Sequence, residues 1–333
     1  MLSSWLAHAL LAAAALPPAA AQDPKALEPE TLERLITTLS STIAERYVFP
    51  DVAQALAEHL KERLWAGAYE GLGVETLAGR LTNDLRSVNN DRHLHVWPLD
   101  ARAGAEAEPD PEASRREQRE EARRSNYGFR KVEILEGNIG YLELNGFVTT
   151  ELAGDTATGA MAFLANVDAL IIDLRANGGG EPSMIQLLCS YFFAEPTLLN
   201  TFQCRGKEEI EEYWTLPQVP GKKLLETPLY VLTSGNTFSA AEEFTYDLKC
   251  LKRATIVGAT TGGGAHPGDT HRIEDLVAVF IPAGRAINPI TGTNWEGTGV
   301  APDLAVAAEQ TLDAALREAR KAAEARRSAS GAR

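Results

Sequence analysis

Three stretches of this sequence could do chemistry together. The first is Thr233-Ser-Gly-Asn-Thr-Phe-Ser-Ala-Ala-Glu242, where an apolar run gives way to a glycine-containing turn and then to a helix starting at about Ser239. A hydroxyl at that place points into the crevice beyond a strand's carboxyl end, where open α/β sheets hold their ligands. The helix start adds unpaired N–H groups and a positive dipole end, so the N–H of Ala240 could stabilise an oxyanion formed by attack of Ser239. The same four residues, Ser-x-x-Glu, also spell a capping box with Glu242 reaching back to Ser239, and caps are commoner than nucleophiles. The second stretch is Asp173-Leu-Arg-Ala-Asn-Gly-Gly-Gly180. Consecutive glycines let backbone N–H groups approach a ligand and would supply the other half of an oxyanion hole; a plain strand-to-helix turn reads the same. The run is not a phosphate loop, because it lacks both the Lys-Ser/Thr ending and the spaced glycines.

A serine hydroxyl is a weak nucleophile until a base takes its proton. The third group is therefore imidazole: His93 and His95 in Asp91-Arg-His-Leu-His-Val, and His266 after the glycines of Gly262-Gly-Gly-Ala-His-Pro. Two histidines separated by one residue could instead bind a metal. Local sequence does not choose among His93, His95 and His266.

The elements that must position these groups are legible. Leu32, Leu35, Ile36, Leu39, Ile43 and Tyr47 recur at helical spacing, Pro50 ends that helix, and Asp51 can cap a second one running to about Trp65. Leu77, Leu81, Leu85 and Val88 define a third. Residues 22–100 thus read as an N-terminal helical domain. Residues 101–126 mix Ala, Glu, Pro and Arg and read as an exposed linker, part of it helical. From Tyr127 the pattern becomes α/β. Strands are expected at Ile139–Leu144, Ala169–Arg175, Leu229–Ser234, Ala254–Gly258 and Val277–Pro282, with helices at Thr149–Ala165, Ser183–Phe193 and Ser239–Leu251 between them. Strands alternating with helices predict right-handed β-α units around a largely parallel sheet over residues 127–308. Residues 309–333 read as a C-terminal helix, Thr311 to Arg326, followed by a frayed tail.

The chain has 333 residues with 44% hydrophobic and 23% charged, enough apolar material for a sizeable core. Its net charge of −14 argues against nucleic acid and anionic membrane surfaces as partners. Residues 1–21 read as a removable export signal: the apolar stretch Leu6 to Leu16 is too short to span a bilayer, and Ala19-Ala20-Ala21 offers a cleavage site before Gln22, although the leader carries no Lys or Arg. Export makes a periplasmic or extracellular location the expectation. Cys189, Cys204 and Cys250 show no metal-ligand spacing and read as small buried hydrophobes.

Taken together, Asp91-Arg-His93, Asp173-Leu-Arg-Ala-Asn-Gly-Gly, Ser239-Ala-Ala-Glu242, Gly258-Ala-Thr-Thr-Gly-Gly-Gly-Ala-His-Pro267 and Asn294-Trp-Glu-Gly-Thr-Gly-Val-Ala-Pro-Asp303 resemble the S41 peptidases, the family of tail-specific (C-terminal processing) proteases, the tricorn core protease and interphotoreceptor retinoid-binding protein. The resemblance implies a crotonase- or ClpP-like β-α spiral core roofed by the helical domain. It implies peptide hydrolysis by acyl transfer, with no metal or organic cofactor. Ser239 matches the nucleophile, and Gly179 with the N–H of Ala240 matches the oxyanion hole. One branch carries a lysine base in a Gly-Lys-Gly turn, where this chain has Gly264 among glycines. His93 instead matches the Asp-x-His motif of the tricorn and retinoid-binding-like branch, with Glu296 as the carboxylate that orients it and Glu242 as a rival acid. His266 is the alternative base. Part of the family is associated with non-catalytic binding of apolar ligands or peptides, which is the alternative function.

Overall fold

The computed structural model describes residues 26–99 and 111–331. The expected export signal, and residues 100–110 of the expected linker, lie outside the described residues. In chain order the elements are α1 (Pro29–Arg46), α2 (Pro50–Trp65), α3 (Val74–Asn89), β1 (His95–Pro98), α4 (Pro111–Arg124), β2 (Phe129–Leu135), β3 (Ile139–Leu144), α5 (Thr150–Phe163), β4 (Ala169–Asp173) and α6 (Pro182–Ser190). They continue with β5 (Leu198–Cys204), β6 (Ile210–Trp214), β7 (Leu229–Thr233), α7 (Ala240–Cys250), β8 (Thr255–Gly258), β9 (Gly268–Ile273), β10 (Val277–Pro282), β11 (Gly284–Ile287), β12 (Leu304–Ala305) and α8 (Thr311–Gly331).

The central sheet runs β12-β8-β7-β4-β3-β2, parallel except for the β2–β3 pair. Its inner strands β4 and β7 are continuous apolar runs because both faces are covered, while the outer strand β2 carries Arg130, Lys131 and Glu133. Alternate side chains go to opposite layers. Leu142, Leu144, Leu170, Ile172, Val231 and Ile256 pack with helices α5, α6 and α7. Ile139, Tyr141, Ala169, Ile171, Leu232 and Val257 pack instead against Ala314, Ala315, Ala319 and Ala323 of α8. The small alanine face lets that helix lie close to the sheet. Helix α8 continues five residues past the expected end at Arg326.

The α/β core with an N-terminal helical unit is the expected architecture. Two details differ. Proline 50 does not close the first helix but opens the second: α2 starts at Pro50, where a missing N–H costs nothing, and Asp51 sits in its first turn without a capping bond. The late strand β10 is not part of the parallel sheet. It forms an antiparallel sheet in the order β1-β10-β9, with His95 opposite Phe280. Ile273, Val277, Val279 and Ile281 of that sheet share one core with Leu35, Ile36, Leu39, Leu56 and Leu81 of the helices. Each of these fully buried aliphatic side chains contributes about 1.5–3 kcal/mol. The helical layer is therefore clamped to the α/β core by a strand exchanged between them. A third sheet, in the order β11-β5-β6, carries Phe202 and Ala286, which pack with Trp295 beside the parallel core.

The three cysteines are free, with Cys189 buried and the other two partly so.

Candidate active site

Strand β7 ends at Thr233, and the chain turns through Ser234–Phe238 into α7. Thr237 Oγ donates to the Leu174 carbonyl at 2.8 Å, and Phe238 N–H donates to the Asn177 carbonyl at 3.0 Å, so the turn is stitched to the glycine loop after β4. Ser239 sits at the top of this turn with φ 53° and ψ −122°. For a non-glycine residue that conformation is strained and persists only where surrounding bonds impose it. Glu242 imposes it. Its carboxylate is fully buried and accepts from Ser239 N–H at 2.9 Å, Gly264 N–H at 2.8 Å, Gly263 N–H at 2.6 Å and the Thr261 hydroxyl at 2.5 Å. The back-reaching half of the expected capping box is thus present, and the same carboxylate also pins the glycine loop. Burial raises the Glu242 pKa, opposed by these four donors. With its oxygens so engaged, the rival acid is a structural tie.

Ser239 and Ala240 line a cleft of about 380 Å³ together with His93, Phe238, Gly178, Gly180 and Gly264, and its further walls include Phe280 and Trp295. His93 enters from the helical unit on the segment joining α3 to β1. Its ring lies 4.6 Å from the Phe238 ring and is stacked at 5.6 Å on Phe280. Arg92 staples the same segment across the cleft: it donates to the Gly262 carbonyl at 2.8 Å and stands over the Phe238 ring. Position 264 has to be glycine here, because a Cβ added to it would lie 2.6 Å from His93 Cε1 and would also meet the Phe238 ring. The Phe238 ring and the imidazole together occupy the space that a side chain at this place on the loop would need.

Behind His93 lies an acid cluster. One ring nitrogen of His93 and one carboxylate oxygen each of Asp91 and Glu296 lie within 4.8 Å of one another. His93 Nδ1 is buried and has no hydrogen-bond partner. Asp91 is only 2% exposed, and both of its oxygens are engaged: Oδ1 accepts His93 N–H at 2.9 Å, and Oδ2 accepts the Tyr47 hydroxyl at 2.8 Å and faces His266 Nδ1 at 3.2 Å. A cation between these groups would have to displace donors already bound to Asp91, and the His93 ring itself makes no hydrogen bond to either acid. Burial raises the Asp91 pKa, but the bonds to His266 and Tyr47 outweigh it and hold the carboxyl below its ordinary range. Burial, reinforced by Asp91, pushes Glu296 up to about 7. Burial also pushes His93 down to about 4.

The other sequence candidates fall as follows. His266 is 4% exposed, packs edge-on to Phe49 and sits 3.5 Å from Glu296 Oε2, behind the cleft wall formed by Ala265 and Pro267. His95 is exposed on β1 and stacks on Trp97, so it shares no site with His93. Gly179 needs a correction. Its φ of 113° and the 2.9 Å between an added Cβ and Ser239 Cβ show that only glycine fits beside the serine. Its N–H, however, already donates to Asn177 Oδ1 at 2.9 Å, so in this conformation Gly179 is a spacer and not a donor to the cleft. Sequence reasoning missed the part of Tyr47, which it read only as helical core, and that of Asp91, quoted in a motif but given no task.

A hydroxyl on a strained strand-to-helix turn, sharing a cleft with an imidazole and flanked by helix N–H groups, brings together the kinds of group that acyl transfer uses. The chain belongs to peptidase family S41: the family model matches residues 138–306, and the model for the N-terminal domain of peptidase S41 in eukaryotic IRBP matches residues 26–135. A carboxy-terminal-processing protease of Bartonella bacilliformis is 27% identical over 183 residues, 54% of this chain and 40% of that protein. The chain spans less than half the length of the curated relatives it matches. A solved structure of a candidate peptidase from Parabacteroides merdae superposes with a TM-score of 0.59 at 19% identity, covering 87% of this chain and 96% of that one. The tricorn protease superposes with a TM-score of 0.55 at 13% identity, covering 87% of this chain and 37% of that one. These two likenesses concern the fold.

Proposed function

We propose that the chain is an exported serine peptidase that cleaves peptide bonds by acyl transfer. The observation that carries this reading is Ser239, held at φ 53° where the cleft meets the start of α7, with His93 on the facing wall. In the proposed cycle His93 takes the proton from Ser239 Oγ, which attacks the peptide carbonyl. The N–H of Ala240, the first residue of α7, holds the oxyanion. His93 returns the proton to the leaving amine, and water releases the acyl-enzyme by the same steps. Glu296, with a carboxylate oxygen within 4.8 Å of a His93 ring nitrogen, is the acid assigned to orient the imidazole and stabilise its cationic form once the ring swings toward it. His93 comes from the proposed helical unit (22–100), while Ser239 and Glu296 both belong to the proposed catalytic unit (127–308), with residues 101–126 as the proposed linker between them. The direct test is a fluorophosphonate probe: it should label the intact protein at Ser239, read by mass spectrometry of the modified peptide. A protein that stays unlabelled while folded belongs to the binding-only reading.

The pH profile follows from the two shifted groups. His93, held down to about 4, stays neutral and competent as a base across the neutral range. Glu296, raised to about 7, loses its charge as pH falls through neutrality and with it the ability to support an imidazolium. The acid limb of kcat/KM should therefore be centred between about pH 6 and 8 and belong to Glu296. Glu296→Gln should lower kcat/KM by about 10²-fold or more and abolish that limb. A limb that survives unchanged in the variant assigns it elsewhere.

Export rests on residues 1–21. No helix among the described residues is long and apolar enough to cross a membrane. Sequencing the protein recovered from the producing cell's exterior or periplasm should give Gln22 as the first residue; a cytoplasmic product starting at Met1 sinks this part.

A further inference from the structure

One buried cluster is unused by the proposed chemistry. Glu243 lies on α7 directly after Glu242, one helical turn from Ser239. It lines the same cleft while only 4% exposed. The aromatic rings of Phe202 and Trp295 form cleft walls beside it. Behind it are Asp247, Asn200 and Asn288, each with no exposed surface. Asn288 Nδ2 donates to Asp247 Oδ1 at 3.1 Å, which leaves Asp247 Oδ2 with no donor. Asn200 faces the Glu243 carboxyl without a bond of normal geometry, and its Nδ2 has no acceptor. A cleft floor built for packing alone would be apolar, since a buried polar group without a partner gives up its bonds to water and gains none in return. Burial raises the pKa of both carboxyls, and their mutual repulsion raises Asp247 further.

We propose that Glu243 is the specificity determinant of the cleft and receives the cationic side chain of a substrate lysine or arginine beside the scissile carbonyl. A cation fits where an anion does not, because two carboxyls already crowd the floor. It fits better than an apolar tip, because it gives Glu243 the charge-assisted donor it lacks, while the aromatic walls favour a cation over their faces. The assignment rests on Ser239 marking the reaction centre.

The test separates the two readings. In the Ser239→Ala variant, calorimetry should show a hexapeptide ending in lysine binding about tenfold or more tightly than the same peptide ending in norleucine, which lacks the ammonium. Adding Glu243→Gln should bring the two affinities within about threefold. Asp247→Asn leaves Glu243 in place and keeps the oxygen that accepts from Asn288, so the lysine preference should stay within about threefold of the parent. Equal affinities in the Ser239→Ala protein, a preference for norleucine, or a lysine preference untouched by Glu243→Gln overturns the proposal. Because this measurement needs no turnover, it stands apart from the fluorophosphonate result, which bears on the nucleophile alone.

Discussion

Ser239→Ala should lower peptide turnover by about 10⁴-fold or more, His93→Ala should cost nearly as much, and the double variant should cost little beyond either one. The reason lies in the division of labour across the cleft. A hydroxyl without a base is nearly inert at neutral pH, and a base without the hydroxyl has only water to activate. Each substitution therefore removes the same event. What survives in all three variants is the contribution of the Ala240 N–H and of substrate binding in the cleft lined by Phe238, Phe280 and Trp295. Active-site titration together with kcat/KM on one peptide substrate decides the matter. Effects that multiply in the double variant, or a His93→Ala protein within tenfold of the parent, would show that the imidazole is not the proton acceptor.

The second large effect concerns stability. Glu242→Ala should destabilise the protein by about 3–5 kcal/mol, a fall in Tm of about 10 °C. The substitution leaves four donors without their acceptor in a fully buried place: the N–H groups of Ser239, Gly263 and Gly264, and the Thr261 hydroxyl. Glu242→Gln should recover little, because its amide turns a donor toward N–H groups that need an acceptor. Loss of the tie also frees Ser239 from its strained backbone, so fluorophosphonate labelling should fall even at temperatures where the variant remains folded. Differential scanning calorimetry is the measurement, and a fall in Tm below about 3 °C in both variants would mean that the loop is held by something else.

The inner strands β3, β4, β7 and β8 of the central sheet were legible in the sequence because they are mostly apolar and buried from both sides, whereas the outer strands β2, with Arg130, Lys131 and Glu133, and the two-residue β12 were not. The strands Leu198–Cys204 and Ile210–Trp214 were not legible. Burial along Leu198–Cys204 follows no simple period, and Ile210–Trp214 alternates with apolar Ile210 and Trp214 on the exposed side and Glu211 on the half-covered one. Val277–Pro282 was recognisable as a strand but not as one that leaves the main sheet, since partner choice is a long-range property that no local period records. The same limit applies to the site. Ser239 and the glycines announce themselves by local turn chemistry. The choice of His93 over His266 came only from resemblance, because the two imidazoles stand 173 positions apart and differ in which side of Ala265 and Pro267 they occupy. The donation of Gly179 N–H to Asn177 was invisible for the opposite reason: the residues are so close in the chain that either a free or a spent N–H fits the same letters.

The pairing of β1 with β10 has a consequence for the life of the molecule. On the assignment proposed here, the imidazole belongs to the first hundred residues and the hydroxyl to the remainder, and the two meet only after a strand from each half has zipped to the other. An emerging polypeptide holds a proton acceptor with no alcohol to serve. A fragment stripped of its amino-terminal third holds an alcohol that nothing awakens. On that assignment neither part of the chain could carry the acyl-transfer chemistry alone, and pairing of β1 with β10 is what completes it.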